Sequence, residues 1–170
     1  MTQAFIVSPI DAKLLSPAEW KALVEQNADL KITDAEYVCI VPDDGRPFMF
    51  PKKSLGDMPW EEADAAAKAY RFQTPGYEGK VPSLPSRVQG THIGDANYAL
   101  YEGPEVRLDD LLDKIGGERF SGAYTWSASR ISASYFWFFY GYSGCASYSY
   151  LYSGGRALPV LLYDANVSEL

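Results

Sequence analysis

Histidine is almost missing from this chain, with His92 the only one among 170 residues. A Ser-His-Asp or Cys-His arrangement would have to use it. Its setting after Arg87, in what the sequence presents as a loop, fits an ordinary hydrogen-bonding residue. Cysteine is nearly as scarce. Cys39 and Cys145 are too few for the disulfide framework of a small secreted scaffold or for a cysteine zinc site, and they fit two reduced thiols in a reducing compartment. Cys145 has no basic neighbour in sequence to favour its thiolate. Basic residues number 15 against 22 acidic ones, and they form no run, which argues against a nucleic-acid partner. No apolar run reaches the about 20 residues of a membrane span, so membrane insertion is not expected. The start, Met1-Thr2-Gln3-Ala4-Phe5-Ile6-Val7-Ser8-Pro9, lacks the basic and apolar regions of a signal peptide. Cytoplasmic synthesis without a signal peptide is therefore expected, and a virion-associated protein assembled in a cytoplasm would look the same.

Recognisable ion and phosphate sites are absent too. The adjacent carboxylates Asp43-Asp44, Glu61-Glu62 and Asp109-Asp110 diverge in direction and read as solvated faces rather than acid/base dyads. No acidic loop has EF-hand spacing, and the Glu-Pro-Asn or Trp-Asn-Asp runs of calcium-dependent sugar binding do not occur. Asp95, Asn97, Glu102 and Glu105 could cluster, but a solvated loop fits them better. Gly116-Gly117 and Gly154-Gly155 lack the strand-to-helix context of a phosphate loop. No metal, no cofactor and no catalytic residue is expected.

What the chain does have is a punctuated order of short elements. Ser16-Pro17-Ala18-Glu19 combines an N-cap, a first-turn proline and a capping-box glutamate, with Trp20, Leu23 and Val24 at helical spacing, and predicts a helix from about Pro17 to Asn27. Tyr37-Val38-Cys39-Ile40-Val41, the turn Asp43-Asp44-Gly45 and Phe48-Met49-Phe50 predict a hairpin. Asp57 is placed to cap a second helix running to about Tyr70, with Trp60, Ala63, Ala67 and Tyr70 inward. Pro75, Gly76, Gly79, Pro82 and Pro85 break regular structure between Arg71 and Arg87. A third helix is predicted over Val106 to Ile115, ended by Gly116-Gly117, and strands and turns from Thr125 onward. At 170 residues, one domain of mixed α+β class with much irregular loop is the natural reading.

One segment stands apart from this pattern. From Ile131 to Gly155, 25 residues carry no charge, ten being aromatic and six serine. A core would favour Leu, Ile and Val, because each buried tyrosine hydroxyl needs a partner. Tyrosine with serine and glycine is instead the vocabulary of a paratope, where rings give broad amphipathic contact at small entropic cost. Strand alternation sets Trp137, Phe139 and Gly141 against Phe138, Tyr140 and Tyr142, and the first set is assigned inward. In the second arm Tyr148, Tyr150 and Tyr152 share a face, with Ser147, Ser149 and Ser153 opposite. Six large outward aromatics would mark an interaction site. Two alternatives are aromatic cross-strand packing inside a β-rich domain and a low-complexity, aggregation-prone stretch, against which the glycines speak.

Three further pieces occur in order: Met58-Pro59-Trp60-Glu61-Glu62-Ala63 with Ala67 a turn later, then Leu84-Pro85-Ser86-Arg87, then Tyr124-Thr125-Trp126-Ser127-Ala128-Ser129 leading to Arg156-Ala157-Leu158-Pro159-Val160. Together they resemble the C-terminal domain family of Legionella collagen-like adhesins over about residues 48 to 163, with 1–47 an N-terminal helix and strand extension. The family usually has Arg-Val-Arg-Pro-Val near its end, from which Arg156-Ala157-Leu158-Pro159-Val160 departs. The resemblance implies a C-type lectin fold with two or three helices and a small antiparallel sheet, a solvent-facing ligand surface and no catalytic residues.

Some members of that fold are variable proteins of diversity-generating retroelements, in which mutated Asn codons yield Tyr, Ser, Phe, Gly, Cys, Ile, Leu and Ala but not Trp. Apart from Trp137, every residue from Ile131 to Gly155 is reachable that way. A framework of Ala133, Phe136, Trp137, Phe139, Gly141, Gly144, Ala146, Leu151, Gly154 and Arg156 leaves Ile131, Ser132, Ser134, Tyr135, Phe138, Tyr140, Tyr142, Ser143, Cys145, Ser147, Tyr148, Ser149, Tyr150, Tyr152, Ser153 and Gly155 as the expected ligand-binding set. The expectation is a non-enzymatic protein binding a protein or cell-surface ligand, with a homo-oligomer left open. A fixed phage or prophage adhesin, receptor-binding or structural virion domain of the same fold is the alternative.

Overall fold

The computed structural model describes residues 2–97, 106–141, 145–150 and 152–165. Within them lie four helices and two five-stranded sheets, so the class is mixed α+β. The expectation of two or three helices and one small antiparallel sheet falls short on both counts. Tyr142, Ser143, Gly144, Leu151, Glu102 and Glu105 lie outside the described residues.

The first sheet has the order β10-β4-β3-β1-β2 and is antiparallel throughout. Its strands are β1 (Gln3–Val7), β2 (Leu14–Leu15), β3 (Tyr37–Val41), β4 (Phe48–Pro51) and β10 (Leu161–Leu162). The predicted hairpin is the β3–β4 pair, with Val38 opposite Phe50 and Ile40 opposite Phe48. β1 was not foreseen, yet it sits inside the sheet between β3 and β2. Its Ile6 joins one buried cluster with Trp20, Val38, Phe50, Leu112, Phe139 and Leu158. The N-terminal segment therefore contributes to the same core as the C-terminal half rather than lying outside it.

Helix α1 (Pro17–Glu25) begins as its capping box requires: the Ser16 hydroxyl accepts from the Glu19 amide, and the Glu19 carboxylate accepts from the Ser16 amide. Trp20 is buried and donates its indole N–H to the Ile32 carbonyl at 3.0 Å, so burial leaves no polar atom unpaired. Helix α4 (Leu108–Lys114) closes with a Schellman arrangement. The Gly117 amide bonds to Leu112 O and the Gly116 amide to Asp113 O, with Gly116 at φ +77°.

Helix α2 (Trp60–Ala69) forms where expected but is not capped by Asp57. That residue is drawn into strand β5 (Asp57–Met58), where it pairs with Arg156, and Pro59 takes the N-cap position. The larger correction is helix α3 (Arg87–Asn97), which occupies the segment expected to be a loop around His92. A second capping box starts it: the Ser86 hydroxyl accepts from the Gln89 amide at 3.1 Å and the Gln89 side chain accepts from the Ser86 amide at 2.8 Å. Gly90 and Gly94 lower the intrinsic helix propensity, which hid the element in the sequence. Packing explains Gly90, since a Cβ there would come within 2.6 Å of the Phe139 ring.

The second sheet has the order β5-β9-β6-β7-β8. It contains β6 (Tyr124–Arg130), β7 (Tyr135–Tyr140), β8 (Ala146–Tyr150) and β9 (Gly155–Arg156). Neighbours are antiparallel except β6 and β9, which run parallel at Thr125 and Arg156. The register of β6 on β7 shifts between Trp126 and Arg130, and such irregularity increases local twist. No helix among the described residues is long and apolar enough to cross a membrane.

Candidate functional site

The uncharged aromatic segment supplies β7 and β8, and the pairing register decides which side chains share a face. Tyr135 lies opposite Tyr150, Trp137 opposite Tyr148 and Phe139 opposite Ala146; Phe136 lies opposite Ser149 and Phe138 opposite Ser147. One face therefore carries Tyr135, Trp137, Phe139, Tyr148 and Tyr150. The other carries Phe136, Phe138, Tyr140, Ser147 and Ser149, extended across β6 by Tyr124 and Trp126. This corrects the expectation that the outward aromatics form one surface, because a helix covers part of each face and leaves the rest open.

On the first face α3 packs at the Phe139 end, and Phe139 is buried among the core residues. Trp137 is half-buried, with the Arg87 guanidinium 3.9 Å above its ring, a cation–π contact that fixes both groups. Beyond it the rings are open and touch edge to face. Tyr148 sits 5.8 Å from Trp137 and 6.0 Å from Tyr135, Tyr135 sits 5.7 Å from Tyr150, and Tyr150 sits 5.2 Å from Tyr152.

On the second face α2 presents Trp60, which stacks on Phe136 at 3.8 Å and donates its indole N–H to Ser127 O. Phe138 was expected to face ligand, but it is only 9% exposed, wedged between Trp126 and Tyr124. Strand alternation places it on the same side as Tyr140, yet it lies deeper under the cover that α2 begins. Tyr140 is open and meets Tyr124 at 5.0 Å. Its hydroxyl is held above the ordinary phenol range, first by desolvation among these rings and then by Tyr124.

Five described tyrosines of the expected set, Tyr135, Tyr140, Tyr148, Tyr150 and Tyr152, are between 39% and 67% exposed. That places their rings in solvent, not in the core. Ile131, Ser132 and Cys145 are exposed and Ser134, Ser147, Ser149 and Ser153 half-buried. Gly155 is a correction: it is buried in β9 against the Trp126 indole, where a Cβ would come within 2.6 Å. Tyr124 was missed because it precedes the uncharged segment, although its place in the Tyr-Thr-Trp-Ser motif on the neighbouring strand was a usable signal. A groove of about 320 Å³ opens on this side, lined by Tyr124, Trp126, Phe138, Ser149, Ser153 and Gly154 among others.

A buried polar knot holds the end of β7 in place. Asn97 donates to Gly141 O at 2.9 Å and to Asp109 Oδ1 at 3.3 Å, and its own Oδ1 accepts from the Asp109 amide. Asp109 also accepts from the Phe120 amide at 2.7 Å and from the Ser121 amide and hydroxyl. The Asp109-Asp110 pair is thus split: Asp109 is 2% exposed, while Asp110 remains on the solvated face. Asn97, one of the four candidates for an ion loop, is spent on this structural network.

Among the described residues no group of three or more His, Cys, Asp or Glu side chains is placed to hold a metal ion. His92 sits on α3 with Nδ1 3.7 Å from Asp95 and its other ring nitrogen facing Gly45 in the β3–β4 turn. What the tyrosine strands offer is stacking area and hydroxyl donors and acceptors, with the guanidinium of Arg87 from α3 over Trp137 and the exposed Arg130 at the end of β6. No known protein family matches the chain, and no curated protein matches it.

Proposed function

We propose that the chain is a non-enzymatic binding protein whose ligand surface is the open part of the β6-β7-β8 strands. The observation that carries the reading is the exposure of Tyr135, Tyr140, Tyr148, Tyr150 and Tyr152 on an ordered sheet backed by two helices. Rings already in mutual contact lose little freedom on binding, so their area converts efficiently into affinity. The half-buried serines between them supply short, adaptable hydrogen-bonding groups, and the lack of charge from Ile131 to Gly155 spares a protein ligand the desolvation of fixed ions. The ligand is a protein or another cell-surface macromolecule.

The scaffold is of C-type lectin type, and the surface is that of a diversity-generating retroelement variable protein. Support comes from the motif residues behind the family resemblance, which gather in one cluster: Ala63, Ala67, Leu84, Trp126 and Ala157 are buried together with Trp60 against them. The Trp126 indole donates to Met58 O and the Trp60 indole to Ser127 O, so the helix motif and the strand motif are stitched in both directions. Of the residues read as framework, Phe136, Phe139 and Gly141 are buried while Ala133, Ala146 and Gly154 are exposed; of the described positions read as diversified, the tyrosines are exposed, the serines exposed or half-buried, and Phe138 and Gly155 buried.

Two measurements test this. Immobilised chain is presented to intact bacterial cells and to their cell-surface protein extracts, beside a Tyr140→Ala/Tyr148→Ala/Tyr150→Ala variant. Retention by the parent alone, with both proteins folded, supports the reading; equal retention by both sinks it. Sequencing the neighbouring DNA decides the retroelement origin, because a near-copy template rich in Asn codons and a reverse transcriptase gene must lie close by.

A further inference from the structure

We infer that β8 pairs edge to edge with β8 of a second copy of this chain, antiparallel and centred on Tyr148. This goes beyond the tyrosine surface proposed above and does not depend on what that surface binds.

Among the described residues, the strand order β5-β9-β6-β7-β8 pairs β8 with another strand on one side only. The Tyr140 amide donates to Cys145 O at 3.0 Å, and the register Phe139 to Ala146 continues from it. Alternation of the antiparallel ladder then turns the backbone of Ser147 and Ser149 toward β7 and that of Ala146, Tyr148 and Tyr150 outward. The Tyr150 carbonyl accepts from the Ser153 amide; among the described residues no strand pairs with that side of β8. The other three sheet ends, β2, β5 and β10, are two-residue strands, and β5 runs directly into Pro59. Short strands and prolines are how natural sheets blunt their edges. β8 is five residues of Ala-Ser-Tyr-Ser-Tyr, with no lysine, proline or charge to do so.

Self-complementarity selects a second copy over a foreign strand. A two-fold axis through Tyr148 places Ala146 opposite Tyr150, small beside large, and Ser147 opposite Ser149, while the two Tyr148 rings meet across the axis. With a formal net charge of −7, two copies repel overall. The uncharged stretch from Ile131 to Gly155 is where they can approach without setting like charges face to face. The product is a continuous sheet through both copies, with the tyrosines of each displayed side by side.

Sedimentation equilibrium of the full chain tests this, the weight-average mass being expected to rise from 18.9 kDa toward twice that with loading. Ala146→Pro removes an outward N–H while keeping every ring and the β7 ladder, and is expected to weaken association roughly tenfold or more. Tyr148→Lys and Tyr148→Glu each set like charges across the axis and are expected to be monomeric, whereas mixing the two restores the dimer. Circular dichroism verifies folding; if Ala146→Pro does not fold, the Tyr148 pair decides. A parent mass that stays at 18.9 kDa at every loading overturns the proposal and leaves the edge to an extended strand of another protein. Association undiminished in the variants, or a mixture no heavier than its components, overturns it as well.

Discussion

Replacing Asp109 by alanine should loosen the tyrosine strands without touching a tyrosine. The carboxylate is 2% exposed and accepts from Asn97, the Phe120 amide and Ser121. Truncation strands at least the Phe120 N–H and one Asn97 N–H in a region closed to water, and each buried orphan donor costs about 1–3 kcal/mol. The loss of the Arg119 contact at 3.7 Å adds little, because Arg119 is half exposed. The expected destabilisation is therefore about 2–6 kcal/mol, a melting-temperature drop on the order of 10 °C for a chain of this size. Asp110→Ala, on the solvated face with Arg119 4.0 Å away, should change stability by less than about 0.5 kcal/mol. Urea titration followed by circular dichroism gives both values. Hydrogen exchange adds the spatial readout, since Asn97 holds Gly141 O at the end of β7 and amides of β7 and β8 should lose protection first. If Asp109→Ala is no more damaging than Asp110→Ala, the knot does not anchor the platform and the reasoning fails.

The triple substitution of Tyr140, Tyr148 and Tyr150 by alanine removes open rings that touch only their neighbours, and should cost about 1–3 kcal/mol in total. Phe139→Ala alone, at 1% exposure, should cost about 3–5 kcal/mol; a reversed order of urea midpoints would make the tyrosines core. Gly141→Ala drives a Cβ to within 2.4 Å of the Phe120 ring, and its overpacking should cost about 1–3 kcal/mol, read by the same titration. Alkaline pH offers another check, because burial, and then the 2.8 Å contact with Tyr37, raises the Tyr70 hydroxyl above its usual 10.0. A folded value above the unfolded one means that the contribution is complete below about pH 10 and is lost as the pH rises further. Unfolding midpoints above pH 10 should fall less steeply in Tyr70→Phe than in the parent.

Much of the frame was legible because its signals are local. The Ser16 capping box, the hairpin around Gly45 and the glycine stop after α4 each depend on side chains a few residues apart, and each formed as read. Helix α3 carried an equally local signal in Ser86 and Gln89, but Gly90 and Gly94 argued against a helix. The reason for Gly90 is non-local, since it is small to admit Phe139 from a strand some fifty residues away. Asp57 shows the same limit: its capping propensity was outbid by strand pairing with Arg156 across the chain.

For the candidate site, composition alone set apart the stretch from Ile131 to Gly155 as unsuited to a core, since ten rings and six serines without charge satisfy contact chemistry better than burial. Alternation also gave the correct partition of β7 into two sets. What it could not supply is the cover, because whether a strand face is open depends on which helix lies over it. Tertiary structure placed α2 over Phe136 and α3 over Phe139, sank Phe138, divided the open tyrosines between two faces, brought in Tyr124 and buried Asp109 while leaving Asp110 in water. Side-chain direction is a property of the strand itself, but exposure belongs to everything packed around it.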